Sequence, residues 1–127
     1  MKVLLSIKPK YAEMILNGEK QYEFRRTIFK SPSVKKVVIY ASSPTSKIIG
    51  EFEIDCILSL DTAELWMRTM EYSGIDKSFY DSYFSGKNVG HAIKIKNVTR
   101  YSKHKELKEF EIKHAPQSFA YIHSDTQ

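Results

Sequence analysis

Apolar residues crowd without alternation at residues 3–7, where Val3, Leu4, Leu5 and Ile7 predict a short strand buried on both faces. Pro9 then suits the first turn of a helix, where a missing N–H costs nothing. Ala12, Ile15 and Leu16, with Tyr11 beside them, recur at helical spacing, and Gly18 supplies a left-handed stop. Over residues 22–26 the period changes to two. Tyr22 and Phe24 would point to one face, Glu23 and Arg25 to the other.

Residues 27–33 read as a loop around Pro32, and residues 36–41 (Val37, Val38, Ile39, Tyr40) as a second buried strand. Ser42-Ser43-Pro44 ends it, either as an ordinary turn or as a cradle of N–H groups for an anion. Residues 47–60 form the plainest strand, with Phe52, Ile54, Cys56 and Leu58 on one face and Glu51, Glu53 and Asp55 on the other. That phase predicts Cys56 as a small buried hydrophobe and Gly50 as a bulge or bend. Asp61 and Glu64 make a capping-box-like helix start, Leu60 can staple onto Leu65, and Trp66 and Met70 carry the apolar face toward Ser73-Gly74. A second helix from about Asp76 to Gly86 is expected to bury Phe79 and Tyr83, with Tyr80 and Phe84 as further core candidates, rather than to build a stacking platform.

Residues 91–101 give the last long strand, Ile93 and Ile95 inward and Lys94 and Lys96 outward. Residues 103–108 read as a basic solvated segment with a helical turn at Leu107. Residues 115–122 close the domain, and the tail beyond should fray. The order β-α-β-β-β-α-α-β predicts a single α+β domain over residues 1–127, a mixed or antiparallel sheet curling toward a barrel with helices at its ends.

Composition narrows the setting. A chain of 127 residues, 42% apolar and 13% aromatic, can bury a substantial core. No apolar run approaches the ~20 residues of a membrane helix. Ser6, Lys8, Pro9 and Lys10 cut the N-terminal apolar run too short for a signal peptide, so a cytoplasmic protein off the membrane is expected. The single cysteine excludes an intrachain disulfide framework and a cysteine-based metal site. His91, His104, His114 and His123 lack ligand-like spacing, so neither metal nor cofactor is expected. No Gly-x-Ser-x-Gly or Cys/His arrangement suggests acyl transfer. The net charge of +5 and isoelectric point near 9.2 favour a polyanionic partner, nucleic acid first, although lysines that only solubilise a surface would give the same balance.

The candidate chemistry lies where the first helix gives way to strand, in Gly18-Glu19-Lys20-Gln21-Tyr22-Glu23-Phe24-Arg25-Arg26. Lys20 is out of phase with Glu23, so it should sit in the turn and lean over the face that carries Glu23 and Arg25, near Ser6 and Lys8. An edge strand with a solvated ion pair would show the same spacing and mean little.

These residues, with Ser6-Ile7-Lys8-Pro9 and Tyr40-Ala41-Ser42-Ser43-Pro44, resemble an ASCH domain of the PUA-like superfamily. Gly-x-Lys-x-x-Glu-x-Arg is that family's most characteristic string. Gly50-Glu51-Phe52 and Pro116-Gln117-Ser118-Phe119 look like the branch described as predicted transcriptional regulators, and 127 residues leave no room for the helix-turn-helix some members add. The resemblance covers essentially the whole chain and implies a small PUA-like barrel with a polar cleft and a role in RNA binding, translation or RNA metabolism. It places Lys20, Glu23 and Arg25 at the cleft beside Arg26, Ser6 and Lys8 on its wall, Ser42 and Ser43 at its rim, and Gln117, Ser118 and Tyr121 opposite. A sub-branch hydrolyses N4-acetylcytidine with a lysine, a threonine and a glutamate. Lys20 matches the lysine, Glu23 stands where the threonine would be, and Glu64 is a candidate for the glutamate.

Three functions remain in view. A basic cleft could bind RNA or a flipped-out nucleobase, with Lys20 and Arg25 on phosphate and Glu23 accepting from an exocyclic amine. Replacing Lys20 or Arg25 by alanine would then weaken binding with the fold intact. Alternatively Lys20 and Glu23 could be a proton-transfer pair in a hydrolase of a modified nucleoside or of RNA, Arg25 stabilising developing charge. The third is an adaptor whose charge is incidental. The binding module, with RNA or a nucleoside as partner, is the expectation.

Overall fold

A computed structural model describes residues 1–122. Its elements are β1 (Lys2–Ile7), α1 (Pro9–Leu16), β2 (Tyr22–Arg25), β3 (Lys36–Ala41), β4 (Lys47–Asp61), α2 (Thr62–Thr69) running into a 3-10 turn (Met70–Tyr72), α3 (Lys77–Tyr83), β5 (Val89–Lys105), a 3-10 turn (Leu107–Phe110) and β6 (Phe119–Ile122). The strands form one six-stranded mixed sheet in the order β2-β5-β4-β3-β1-β6. β1 and β3 are parallel, and every other pairing is antiparallel.

The unalternating strands have a simple cause. One face of β1 and β3 (Val3, Leu5, Ile7, Val37, Ile39) packs on Ala12 and Ile15 of α1 in the main core. The other face (Leu4, Val38, Tyr40) packs on Ile48, Phe110 and Ile122. Both faces are covered, so both are apolar. A third cluster (Phe24, Leu65, Tyr80, Phe84, Ala92) joins β2 to α2 and α3. The sheet curls until its two edge strands meet at one end, where the Arg25 guanidinium on β2 donates to the Ser118 carbonyl just ahead of β6, at 2.6 Å. Side chains, rather than a ladder among the described residues, make that closure.

Gly50 falls where β4 bends. The register slips between Ile39 and Tyr40 of β3, and Ile49 is the unpaired residue on β4. A Cβ at Gly50 would lie 2.6 Å from the Thr99 carbonyl oxygen and 2.9 Å from a Leu16 methyl.

Four local expectations change. Cys56 is exposed, because β4 slips register again between Ile54 and Cys56 and crosses from the main core to the third cluster at that point. Met70 is half exposed, because α2 ends at Thr69 and its buried face is Leu65 and Thr69. β5 runs past Tyr101 to Lys105, while residues 103–108 are mostly exposed and the turn at Leu107 forms as expected, as a 3-10 turn. On α3 the buried residues are Tyr80 and Phe84, while Phe79 and Tyr83 are half-buried at its edge. The start of α2 is capped as expected on one side only: Asp61 accepts from the Ala63 and Glu64 amides, but Glu64 turns outward to Arg68 at 3.1 Å. His123 and the expected fraying of the tail lie outside the described residues.

Candidate functional site

A cavity of about 220 Å³ opens between the end of β1, the first turn of α1, strand β2 and helix α3. Ser6, Ile7, Lys8, Tyr11, Lys20, Glu23, Phe24, Arg25, Ile75, Phe79 and Tyr83 line it. At less than the ~300 Å³ of a drug-sized site, it has room for one compact planar group rather than a stack of them.

Local sequence explains how each side chain arrives. Pro9 fixes the first turn of α1 and leaves Lys8 as its extended N-cap residue, with no side-chain capping bond, and the Lys8 ammonium lies 5.8 Å from the centre of the Phe79 ring. Past Leu16 the backbone turns through Gly18 (φ +85°). The Glu19 and Lys20 amides both donate to the Met14 carbonyl, at 2.9 and 3.1 Å. That tight reversal throws Lys20 inward, so that only 3% of it is exposed. Gln21 then anchors the chain twice, its amide donating to the Tyr72 carbonyl and its carbonyl accepting from the Ile95 amide.

The Lys20 ammonium donates to the Ser73 carbonyl at 2.6 Å and lies over two rings, Phe24 at 4.8 Å and Tyr11 at 5.5 Å. Removal from water lowers its pKa to about 8, against the opposing pull of the Glu23 charge. Glu23 is buried as well, and desolvation raises its pKa, while Lys20 and then Arg25 hold it down. An Arg25 Nη1 donates to Glu23 Oε2 at 3.2 Å, and Nη2 reaches the Ser118 carbonyl. Lys20 and Glu23 sense each other's charge without an ion-pair contact. The cavity therefore offers a ligand both an amine and a carboxyl in its lining.

The opposite wall is aromatic. Phe79 and Tyr83, one turn apart on α3, have centroids 6.5 Å apart and ring planes within 10°. Tyr11 approaches Phe79 at 5.5 Å, and the Tyr83 hydroxyl is held by donation to the Phe24 carbonyl at 3.1 Å. Tyr11, Ile75, Phe79 and Tyr83 were not anticipated as pocket residues. The signal in reach was the aromatic run on α3, of which only half is needed to fill the core.

The structure thus brings Ser6, Lys8, Lys20, Glu23 and Arg25 to one hollow. The other predicted site residues lie elsewhere. Arg26 is exposed and donates to the Tyr83 carbonyl at 3.2 Å, outside the cavity lining. Ser42 and Ser43 form the turn beyond β3, the Ser42 amide donating to the Ile7 carbonyl, next to the pocket but not in it. Gln117 is exposed. Ser118 serves through its carbonyl, which holds Arg25 from behind. The Tyr121 hydroxyl accepts from the Lys30 and Ser31 amides, pinning the 27–33 loop instead. Glu64 projects from α2 away from the cavity lining. Among the described residues, no three His, Cys, Asp or Glu side chains converge as metal ligands would, and no helix is long and apolar enough to cross a membrane.

Comparison with known proteins adds four findings. Residues 5–121 match the family model of the ASCH domain. The chain is 31% identical over 121 residues to the large ribosomal subunit protein uL22 of Ureaplasma parvum serovar 3, a match covering 94% of this chain and 39% of that protein. It is 29% identical over 94 residues to an ASCH domain-containing ribonuclease of Zymomonas mobilis, covering 74% of this chain and 64% of the ribonuclease. The crystal structure of ASCH from Zymomonas mobilis shares the fold with a TM-score of 0.88 at 25% identity, covering 98% of this chain and 90% of that one. The chain spans under two thirds of the length of each of these two relatives.

Proposed function

The chain belongs to the ASCH domain family, and on that premise we propose that its pocket takes one base of a single-stranded RNA. The observation that carries this reading is the pairing of an aromatic wall (Phe79, Tyr83, Tyr11) with a buried polar floor (Lys20, Glu23, Arg25) around a space sized for one ring system. The base would lie against the Phe79–Tyr83 wall, a contact that is sequence-tolerant and contributes about 1–3 kcal/mol per base. Its polar edge would meet Glu23 and Lys20, and Lys8 at the mouth would face the sugar-phosphate chain. The expected setting is RNA metabolism, translation or transcription regulation in the cytoplasm.

A second reading rests on Lys20. An amine with a pKa near 8 is partly neutral at physiological pH, and the neighbouring Glu23 carboxyl can exchange a proton with a bound ligand. A Zymomonas mobilis relative is named a ribonuclease. In that reading the bound nucleotide is cleaved, or a modified base is hydrolysed, with Lys20 and Glu23 as the acid–base pair and Arg25 stabilising developing negative charge.

One experiment separates the two. Short single-stranded RNA oligonucleotides are titrated into the wild type and Phe79→Ala at ~50 mM salt, where phosphate contacts are strong, and the same mixtures, with N4-acetylcytidine in parallel, are checked for products. Weaker binding by Phe79→Ala without products supports a binding pocket. Products that vanish in Lys20→Ala support the enzyme. Equal binding by the wild type and Phe79→Ala contradicts the pocket in either form.

A further inference from the structure

Lys20 is held by more than its own turn. Ser73, between the 3-10 turn and α3, is 99% buried, and its carbonyl is the acceptor of the Lys20 ammonium. Its hydroxyl donates to the Ile75 carbonyl at 2.8 Å and also accepts the Ile75 amide at 3.3 Å, which fixes the direction of the turn. Gly74 follows with φ +74°. The methylene stem of Lys20 lies directly over it: a Cβ built at Gly74 would stand 2.6, 2.7 and 2.9 Å from the Cγ, Cβ and Cδ of Lys20. Those separations are inside van der Waals contact, so the stem occupies the space that any other residue at position 74 would need. Ile75, the next residue, itself lines the pocket.

Building on the pocket reading above, we infer that Ser73 and Gly74 are positioning residues for Lys20, the carbonyl of one and the bare Cα of the other together fixing where the amine points in the pocket. The sequence assigns this pair only a helix-ending role. The structure gives it a second one, because the chain could end a helix at a glycine without laying another element's lysine across it. Gly86, which ends α3 with φ +83°, has nothing within 4 Å of its would-be Cβ. Both glycines have a positive φ, +74° and +83°, and they differ in what lies over them. The charged and titratable groups around Lys20 are Glu23 and Arg25 on β2, Tyr11 on α1, Tyr83 on α3 and Lys8 at the mouth.

The test compares Gly74→Ala with Gly86→Ala, which likewise puts an alanine at positive φ, away from Lys20. The side-chain amine of Lys20 is titrated by NMR in the absence of RNA. Gly74→Ala should move its midpoint from about 8 upward by about one unit or more, as displacement exposes the amine to water. RNA affinity near neutral pH should fall roughly tenfold, the worth of one charge-assisted hydrogen bond. Gly86→Ala should leave both unchanged. An unmoved midpoint in Gly74→Ala, or an equal shift in Gly86→Ala, overturns the inference. A midpoint that moves in Gly74→Ala alone, with RNA affinity the same in every variant including Lys20→Ala, upholds the positioning role and removes the pocket reading. If Gly74→Ala folds too weakly to titrate, its cost in Tm is compared in the wild-type and Lys20→Ala backgrounds. Truncating Lys20 removes its Cγ and Cδ, so the cost should shrink, and an equal cost in both backgrounds overturns the inference.

Discussion

Lys20 and Glu23 were legible in the sequence as chemistry, but their burial was not, and burial changes what their substitutions report. Both had been expected at an open cleft. Instead Lys20 is 3% and Glu23 7% exposed, because the Gly18 reversal and the Ser73 carbonyl draw the amine inward, and periodicity carries no information about either. Replacing Arg25 by alanine therefore does more than remove a ligand contact. It leaves the Glu23 carboxylate buried without its guanidinium and frees the Ser118 carbonyl, so a loss of about 3–5 kcal/mol is expected in denaturant unfolding, and Glu23→Gln/Arg25→Met should recover part of it. Lys20 gives a pH signature of defined sign. Its folded pKa, about 8, lies below the ordinary 10.5. The unfolded chain therefore holds more protons between those values, and stability rises with pH across about 8 to 10.5 relative to Lys20→Met. On the proposed base-binding reading, RNA affinity should move the opposite way, falling as pH passes 8 and the ammonium that would meet the base edge is lost. Parallel unfolding and binding titrations over that range check both signs.

Helix α3 is the element where the reading from sequence and the structure diverge most usefully. Its three aromatics and Phe84 just past its end all fit helical spacing, and periodicity alone cannot say which of two adjacent stripes faces the core. Packing decides it: Tyr80 and Phe84 meet Phe24 edge-on at 5.4 and 6.2 Å, leaving Phe79 and Tyr83 to line the pocket. The two stripes should separate in experiment. Phe84→Ala should cost about 3–5 kcal/mol of stability through the cavity it leaves. Phe79→Ala should change stability little and weaken RNA binding by about 1–3 kcal/mol. Thermal unfolding and oligonucleotide titration of both variants check that exchange. Strands β1, β3 and β5 were readable because their patterns follow from covered and uncovered faces. Cys56 was misplaced because a register slip between Ile54 and Cys56 is a property of the ladder and leaves no mark in the alternation.

At the scale of the whole molecule, the curled six-stranded sheet brings the first and last parts of the chain to one place. The Ser6 hydroxyl on β1 donates to the Pro116 carbonyl at 2.9 Å, and Arg25 on β2 reaches Ser118. The segment that closes the sheet thus buttresses the pocket from behind through the Pro116 and Ser118 carbonyls, whereas Gln117, Ser118 and Tyr121, which the resemblance places opposite the cleft, do not line the hollow. The fold class was legible because element order and the Gly-x-Lys-x-x-Glu-x-Arg string constrain it. The aromatic wall was not, because it is assembled from α1 and α3, far apart in sequence. A net charge of +5 predicts that RNA affinity falls steeply with salt, with a slope that drops by about one per phosphate contact removed, so Lys8→Ala should flatten the slope whereas Phe79→Ala should lower affinity at an unchanged slope. The most direct test maps where RNA sits. Isotope-labelled protein is titrated with a short single-stranded RNA, and chemical-shift changes are expected to centre on Lys8, Tyr11, Lys20, Phe79 and Tyr83. Changes confined to the basic segment at residues 103–108, with the pocket resonances still, would rule the pocket out as the RNA site.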